Sequence, residues 1–181
     1  SGTEAVPVND IAQALSSIAG KFEVIRSFDK DGYHTYYPDT PQYNTLNYLA
    51  PGHGYWIKMK EDVTLELLGA KISPTDTLSV TVDANRRWVL VGCWAPVCYY
   101  DTATAPLVTL PEDVTEAIKV DDVGAVLTSL TGQFTYIRSF DADGYHTYKP
   151  DTPIFNTLHY FAPGYGYWIK LSENGQLRWS Q

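Results

Sequence analysis

An internal repeat constrains this chain more than any other feature. Residues 25–58 align without a gap on residues 137–170 at an offset of 112, and only 7 of the 34 aligned positions differ. Two segments this similar must build the same local structure. We therefore predict a tandem duplication, with a first copy over residues 1–72 and a second copy over residues 73–181.

Each copy is expected to begin with a helix. In the first copy, Asn9 or Asp10 can accept the capping hydrogen bond, and Gly20 can end the helix. The apolar positions between them fall on one face and predict its buried side: Ile11, Leu15 and Ile18. The second copy repeats the pattern and ends it at Gly132.

An aromatic hairpin follows the helix. Its residues predict a strand over 22–28 and a returning strand over 33–37, joined by an Asp-x-Asp-Gly turn in which glycine supplies the positive φ. A Pro-rich loop over 38–54 leads to a closing strand that contains Gly-Tyr-Trp-Ile-Lys. A last strand near 63–70 is expected to pair with that closing strand.

These elements predict an α+β fold, in which each copy is a small antiparallel sheet with one packed helix. The second copy also has opening strands over residues 78–94, ahead of its helix and hairpin over residues 120–181. The first copy has only residues 1–8 before its helix and so has no counterpart of these strands. Either strands from the middle of the chain complete it, or the sequence was cut from a longer array.

The charge of the chain argues against two classes of partner. Of the 181 residues, 13 are basic and 21 are acidic, which gives a formal net charge of −8. Nucleic acids and anionic membrane surfaces bind clustered Lys and Arg, so neither is expected as a partner. Membrane insertion is not expected either, because no apolar run approaches the roughly 18 residues of a spanning helix.

Four residues separate the two cysteines, Cys93 and Cys98. A zinc site needs more ligands than this pair provides, and a redox pair normally has the C-x-x-C spacing. The sequence leaves two alternatives, which are a local disulfide in an oxidising compartment and two unpaired, buried thiols.

Four short motifs of the second copy resemble a repeat of bacterial and archaeal extracellular proteins. They are W-V-L-V-G at 88–92, N-T-L at 156–158, A-P-G at 162–164 and G-Y-W-I at 166–169. That family typically has W-N-L-V-G, N-T-L and P-G-x-G-Y-W-I, so Val89 departs from its usual Asn. The resemblance implies a module of a large secreted or cell-surface protein, beside neighbouring domains, and it carries over no catalytic residue.

Enzymatic chemistry has one candidate. His34 and His146 each follow an Asp-x-Asp-Gly turn, and a carboxylate pair with a histidine can do acid–base work. The sequence has no Ser or Cys nucleophile in a recognisable elbow and no closely spaced histidine pair for a metal. We therefore predict a protein that is not an enzyme, with these histidines hydrogen-bonded within the sheet.

Carboxylates in and after the two hairpin turns are the candidates for a metal site. Each copy brings three of them close in sequence: Asp29, Asp31 and Asp39, then Asp141, Asp143 and Asp151. Calcium binds such oxygen ligands, but the EF-hand pattern fails because Thr40 stands where its bidentate Glu is needed. We predict no cofactor, with calcium at the two turns as the alternative.

The alternation of side chains along the strands indicates which residues can form a ligand-binding surface. A position that is Tyr37 in one copy and Lys149 in the other is expected to face water, and Tyr33 lies on the same strand face. In the closing strand, Met59 is expected on the core side, which leaves a Trp and a Lys outward in each copy. The predicted ligand-binding residues are Trp56, Lys58, Trp168, Lys170, Tyr33, Tyr37 and Tyr145.

These side chains suit a carbohydrate. An aromatic ring covers the apolar C–H groups of a sugar, and an amine donates to its hydroxyls; the chain has 14 Tyr, 5 Trp and 6 Phe. We predict a non-catalytic accessory module of a secreted or cell-surface protein that binds a polysaccharide or another glycan. The alternative is a structural spacer or a protein-binding (adhesion) module, with the tryptophans buried where the copies pack together.

Overall fold

A computed structural model describes residues 10–66, 73, 76–82, 85, 87–102 and 108–179 of the chain. In these ranges the protein is mostly β-structure, with short 3₁₀ helices and no α-helix. The predicted α+β fold is therefore wrong. The capping candidate Asn9 and the part of the last predicted strand beyond residue 66 lie outside the described residues.

The elements are short and are numbered along the chain. The strands are β1 (Phe22–Asp29), β2 (Gly32–Tyr36), β3 (Trp56–Met59), β4 (Leu78–Val80), β5 (Trp88–Gly92), β6 (Cys98–Tyr100), β7 (Ala117–Lys119), β8 (Phe134–Asp141), β9 (Gly144–Tyr148), β10 (Tyr160–Phe161), β11 (Gly166–Leu171) and β12 (Gly175–Leu177). The 3₁₀ helices are η1 (Ile11–Ile18), η2 (Pro41–Tyr43), η3 (Val123–Leu130) and η4 (Pro153–Phe155).

The helix predicted at the start of each copy is a kinked 3₁₀ helix. Asp10 caps η1 by accepting a hydrogen bond from the Ala12 N–H at 2.9 Å, and Gly20 follows it with a φ of +76°. The predicted apolar face is buried, but Leu15 has non-helical dihedral angles that divide the helix in two. Leu127 interrupts η3 in the same way. Eight residues are too few for a stable isolated α-helix, so tertiary packing decides the local geometry.

Four separate sheets replace the single sheet predicted for each copy. Their strand orders are β2-β1-β3, β5-β11-β8-β9, β10-β6-β7 and β12-β4. Strands β6 and β7 pair in parallel, and the other pairs are antiparallel. Because β11 already has β8 on one side and β5 on the other, the shorter strands of the second copy pair with one another in small sheets of their own.

Both predicted hairpins are present. In the first, β1 and β2 pair down to Asp29 and Gly32, and in the second, β8 and β9 pair down to Asp141 and Gly144. The two glycines have φ values of +112° and +114°, which residues with a Cβ rarely adopt. The turn sequence therefore fixes where each hairpin reverses.

Each copy has its own hydrophobic core. In the first copy, η1 packs on β1 through residues such as Ile18 and Ile25. The core of the second copy is larger and encloses Tyr167 and Trp179. Part of the difference comes from β5, because Val91 of this strand joins the second core.

Strand β5 lies between the two copies. One of its edges pairs with β11, and the other meets residues 52–54 through a bridge between His53 and Val91. The Gly54 N–H donates to the Leu90 carbonyl at 3.0 Å. A Cβ on Gly54 would lie 2.6 Å from the Leu90 side chain, so the close approach needs glycine here. A strand from the middle of the chain thus completes part of the first copy.

Reciprocal aromatic contacts join the two copies. Trp168 of the second copy packs on Phe28 of the first with ring centroids 4.9 Å apart, and Trp56 of the first packs on Phe140 of the second at 5.6 Å. The offset of 112 converts either pair into the other. A translation would not generate both contacts, so the copies are related by an approximate two-fold axis.

Candidate functional site

A groove opens at the junction of the two copies and has a volume of about 690 Å³. We call it the junction groove. It is lined by Phe28, Asp31, Gly32, Tyr33, Asn85, Arg87, Trp88 and Lys170. The β1–β2 hairpin of the first copy forms one wall, and β5 and β11 of the second copy form the other. Its size falls in the range of small-molecule binding sites.

Aromatic rings form much of the groove wall. Tyr33 is 69% exposed and stands on Phe28 in an edge-to-face arrangement, with ring centroids 4.7 Å apart. Behind them, Trp168 contacts Phe28 and also Trp88, whose ring lies 6.4 Å away and at 79°. The rings are inclined to one another, so they form a recessed wall and not a coplanar strip.

Cations cover the rings on the neighbouring sheet face, which we call the cationic face. It comprises Trp88, Tyr136, Arg138, Lys149 and Lys170. The Arg138 guanidinium lies 4.7 Å from the Tyr136 ring centre and 5.4 Å from that of Trp88. The Lys149 amine lies 4.8 Å from the Tyr136 ring, and the Lys170 amine lies 6.0 Å from the Trp88 ring. These distances are typical of cation–π contacts.

The cationic face differs in charge from the same face of the first copy. Within the described part of the chain, Arg138, Lys149 and Lys170 form no ion pair with a carboxylate. In contrast, Lys58 of the first copy pairs with Glu23 at 2.5 Å. The second copy therefore carries a local positive face on a chain whose net charge is −8.

The structure brings three of the residues predicted to bind a ligand together. Tyr33 and Lys170 line the junction groove, and Trp168 is half-buried behind them. The predicted alternation in the closing strand is present, because Tyr167 and Ile169 are fully buried on the opposite face from Trp168.

The other predicted residues lie apart from the groove. Trp56 is 38% exposed on Phe140, and Lys58 is engaged by Glu23. Tyr37 is half-buried next to Asn44, whose side-chain oxygen accepts from its backbone N–H at 2.7 Å. Tyr145 is 68% exposed on the other hairpin, where its ring packs on Phe140. Sequence symmetry selected these residues together with Trp168, but none of them lines the junction groove.

Four side chains that line the groove were not among the predicted site residues: Phe28, Asn85, Arg87 and Trp88. They were predicted only as parts of strands, and Trp88 also as part of a motif shared with the extracellular repeat. Phe28 and Arg87 come from different copies. The alternation of side chains along a strand indicates which face of its own sheet a residue occupies, but not which residues of another sheet it contacts. The sequence did contain one indication of the groove. Strand β5 has no counterpart in the first copy, so the two copies cannot make identical contacts where they meet.

The Asp-x-Asp-Gly turns use their first aspartate internally. Asp141 accepts hydrogen bonds from the Asp143 N–H at 2.9 Å and from the Tyr160 hydroxyl, and its Oδ1 lies 2.8 Å from His146 Nε2. The second nitrogen of His146 faces the Thr157 carbonyl at 3.1 Å. Both ring nitrogens of His146 thus face acceptors within the protein.

These contacts shift the pKa values of the half-buried aspartates and of Tyr160. Burial acts to raise the pKa of Asp141, but the hydrogen bonds from Tyr160, His146 and the Asp143 N–H outweigh it and lower that pKa. Asp29 follows the same pattern, since burial opposes the hydrogen bonds from His34 and the Asp31 N–H, and the pKa is lowered. Burial and the neighbouring Asp141 carboxylate together raise the pKa of Tyr160. The aspartates are therefore held as carboxylates.

The carboxylates of the first turn, which the calcium alternative names, make contacts within their own hairpin. Asp29 accepts from the Asp31 N–H at 2.8 Å and contacts His34 at 3.0 Å, while Asp31 pairs with Lys30. Nowhere among the described residues do three or more His, Cys, Asp or Glu side chains converge as a metal site would require. The turn carboxylates are instead occupied in shaping the hairpins.

A second, smaller cavity of about 190 Å³ lies beside the second hairpin. It is lined by Val108, Thr109, Asp141, Asp143, His146, Thr157, His159 and Tyr160. His159 Nδ1 lies 3.0 Å from Asp101 Oδ1, and Asp101 also accepts from the Val123 N–H at 2.6 Å. In this third His–Asp pair, Asp101 also ties the end of β6 to the start of η3 and so has a structural use.

Comparisons with known protein families, with curated proteins and with solved structures found no match for this chain. The longest helices of the described ranges have eight residues, which is too short to span a membrane. The chemistry of the candidate site must therefore be inferred from its own geometry.

Proposed function

We propose that the chain is a non-catalytic carbohydrate-binding module of a secreted or cell-surface protein, and that it holds a glycan in the junction groove. The observation that carries this proposal is the recess itself, which combines exposed aromatic rings with hydrogen-bond donors. Tyr33 and Trp88 offer apolar ring surface, and Lys170 offers an amine beside them. Sugars present this same combination of C–H faces and hydroxyls.

The charge around the groove favours a glycan with acidic groups. Lys170 lines the groove and lies on the cationic face, where Arg138 and Lys149 continue the positive surface. Arg87 also lines the groove and donates to the Ser172 carbonyl at 3.0 Å. Carboxylate or sulfate groups on a polysaccharide would complement this surface.

A non-catalytic role agrees with how the histidines are used. A general base needs a nitrogen that can accept a proton from the substrate. Both nitrogens of His146 face acceptors of the protein, and His34 is held by Asp29 at 3.0 Å. These contacts support a structural role for both histidines.

The second candidate is a spacer or protein-binding module. The contacts of Trp168 with Phe28 and of Trp56 with Phe140 favour it, because they show that both tryptophans help to hold the copies together. In this alternative the aromatic content stabilises the junction and leaves little ring surface for a ligand.

Binding to immobilised polysaccharides distinguishes the two. Affinity electrophoresis and pull-down should compare neutral glycans (cellulose, chitin, xylan, mannan and β-glucans) with acidic ones (polygalacturonate, alginate and heparin). We expect retention on at least one acidic glycan, weakened by added salt because the attraction is partly electrostatic. Tyr33→Ala and Lys170→Ala should each reduce the affinity by about tenfold, the equivalent of ~1.4 kcal/mol.

The repeat supplies matched controls for both variants. Tyr145 has almost the same exposure as Tyr33, 68% against 69%, and the same edge-to-face packing on a Phe, but it does not line the groove. Lys58 is the counterpart of Lys170. Tyr145→Ala and Lys58→Ala should leave binding unchanged. If the variants of both copies lose affinity equally, the ligand does not bind in the groove. If no glycan retains the protein, the spacer or adhesion role is favoured.

A further inference from the structure

The two closing strands have the same sequence but different neighbours. Residues 54–58 and 166–170 both read Gly-Tyr-Trp-Ile-Lys. Strand β11 pairs with β8 on one side and with β5 on the other. Among the strands of the described residues, β3 pairs with β1 alone. The edge of β3 that corresponds to the β5 side of β11 is therefore open in this part of the chain.

Backbone groups of β3 point out from that edge. The Lys60 N–H donates to the Lys21 carbonyl at 2.8 Å, towards the β1 side. Hydrogen-bonding groups alternate in direction along a strand, so those of Ile57 and Met59 face away from β1. In the second copy the counterpart of Met59 uses this direction, because the Leu171 N–H donates to the Arg87 carbonyl at 2.8 Å.

The core side chains of β3 are also incompletely covered. In β11, Ile169 and Leu171 are 0% and 1% exposed. Their counterparts, Ile57 and Met59, are only half-buried although they pack against the core of the first copy. In the second copy, β5 covers this side of the strand, since Val89 stands opposite Ile169 and is buried in the core.

We propose that the open edge of β3 binds an apolar strand of the β5 type, donated in trans by another module that contains this repeat. The occupant is an antiparallel strand with the pattern Trp-Val-Leu-Val-Gly. The β5–β11 pair defines its register, with the donor's second residue opposite Ile57, as Val89 stands opposite Ile169. Strand addition to a sheet edge is a general mode of recognition, in which backbone hydrogen bonds give affinity and alternate side chains give specificity.

The acceptor edge meets both requirements for strand addition. The N–H and C=O groups of Ile57 and Met59 supply the ladder, and their half-buried side chains supply the apolar surface. The neighbouring Lys58 is held by Glu23 on the opposite face and so stays clear of the incoming strand. Of the features that protect edge strands, proline and an inward-pointing charge are absent from β3, whereas the strand is short and carries one lysine, Lys58.

A synthetic peptide with the sequence of residues 85–94, carrying Cys93→Ser, is the probe. The matched control peptide also carries Val89→Asp and Val91→Asp, which remove its apolar side. Amide hydrogen exchange of the full chain should be measured with and without each peptide. In the free protein, the amides of Ile57 and Met59 should exchange at least about 100-fold faster than those of Ile169 and Leu171. The probe should slow them by about tenfold or more, and the control should not.

Two variants keep the test decisive. Ile57→Pro removes an outward N–H that makes no bond to β1, a position at which edge strands tolerate proline. It should abolish the effect of the probe while tryptophan fluorescence shows a folded protein. If that variant does not fold, Met59→Lys places a charge at the edge and should abolish the effect as well.

Three results would overturn the proposal. Ile57 and Met59 amides that are already protected in the free monomer would mean that the chain covers this edge itself. Protection that appears with protein concentration and a dimeric mass in light scattering would assign the edge to a second copy of β3. No protection by the probe at any concentration would show that a β5-type strand is not the partner. None of these results depends on glycan binding, so they leave the proposal of glycan binding in the junction groove to its own test.

Discussion

The Trp168 indole lies on the Phe28 ring across the junction of the two copies, with centroids 4.9 Å apart and ring planes inclined at 50°. Trp56 and Phe140 form the equivalent pair in the opposite sense, at 5.6 Å and 32°. Trp168 makes more ring contacts than Trp56, because it also contacts Tyr33 and Trp88. The junction is therefore symmetric in sequence and asymmetric in packing.

Removing the two tryptophans should reveal this asymmetry. Trp168→Ala is expected to lower the free energy of unfolding by about 2–3 kcal/mol, since it leaves a cavity among three aromatic rings. Trp56→Ala should cost about 1 kcal/mol, because Trp56 is 38% exposed and has one aromatic partner. Urea denaturation of both variants measures the difference.

A double-mutant cycle provides the control for that experiment. Phe28→Ala combined with Trp168→Ala should show a coupling of about 0.5–1.5 kcal/mol, while Phe28→Ala combined with Trp56→Ala should be additive. Equal costs for the two tryptophans, or coupling in the second pair, would contradict the packing described here.

Gly124 provides a second difference between the copies. A Cβ at this position would overlap the ring of Tyr148, whose hydroxyl donates to Asp122 at 2.8 Å. Tyr148 is 5% exposed and has little room to move, so Gly124→Ala should destabilise the protein by about 1–3 kcal/mol.

The first copy supplies the matched control, since it has Ala12 at the position of Gly124. Ala12→Gly should cost no more than about 1 kcal/mol, which is the usual helix-propensity difference. Thermal unfolding of both single variants tests the pair. A neutral or stabilising effect of Gly124→Ala would mean that Tyr148 can leave its place beside Asp122 without loss.

Local features of this fold could be predicted from the sequence because their causes are local. The Asp-x-Asp-Gly turns place the hairpins, since Gly32 adopts the positive φ and Asp29 accepts the Asp31 N–H. The apolar side of η1 was predicted correctly for the same reason, although its helix type was not. Leu15 leaves helical geometry because packing of an eight-residue segment overrides its weak intrinsic preference.

Features that join distant segments could not be predicted in this way. The junction groove combines Tyr33 from one hairpin with Trp88 and Lys170 from two strands of the other copy. The side-chain pattern of one strand does not indicate which residues of the other copy it contacts. The split into four sheets has a similar origin, because β5 takes one edge of β11 and also reaches His53 in the first copy.

Acidification should destabilise the protein through Asp141. Hydrogen bonds from Tyr160, His146 and the Asp143 N–H overcome the effect of burial and lower its pKa in the folded state. A carboxyl with a lowered folded pKa contributes stability that is fully present above its unfolded pKa, near 4, and is lost as the pH falls through the folded value. The carboxyl carbon of Asp141 should therefore titrate below the ordinary range in an NMR titration.

Tyr160→Phe tests the cause of that shift. Removing one donor should raise the pKa of Asp141 towards its ordinary value and flatten the loss of stability below about pH 4. Asp29 is the internal reference, because the variant leaves its contacts with His34 and Asp31 intact. An unchanged Asp141 titration in the variant would show that the tyrosine does not hold the carboxylate charged.

The two cysteines should be inert in the folded protein. Both are buried free thiols, and burial raises the pKa of Cys98 to about 11 and that of Cys93 further. A thiol reagent reacts with the thiolate, which is then scarce at pH 8, and burial also limits access. A chromogenic disulfide reagent should therefore label neither residue in native protein within minutes and label both after denaturation in guanidinium. Rapid labelling of the native protein would contradict the buried positions, and an intact mass lower by two hydrogens would establish the disulfide that the sequence left as an alternative.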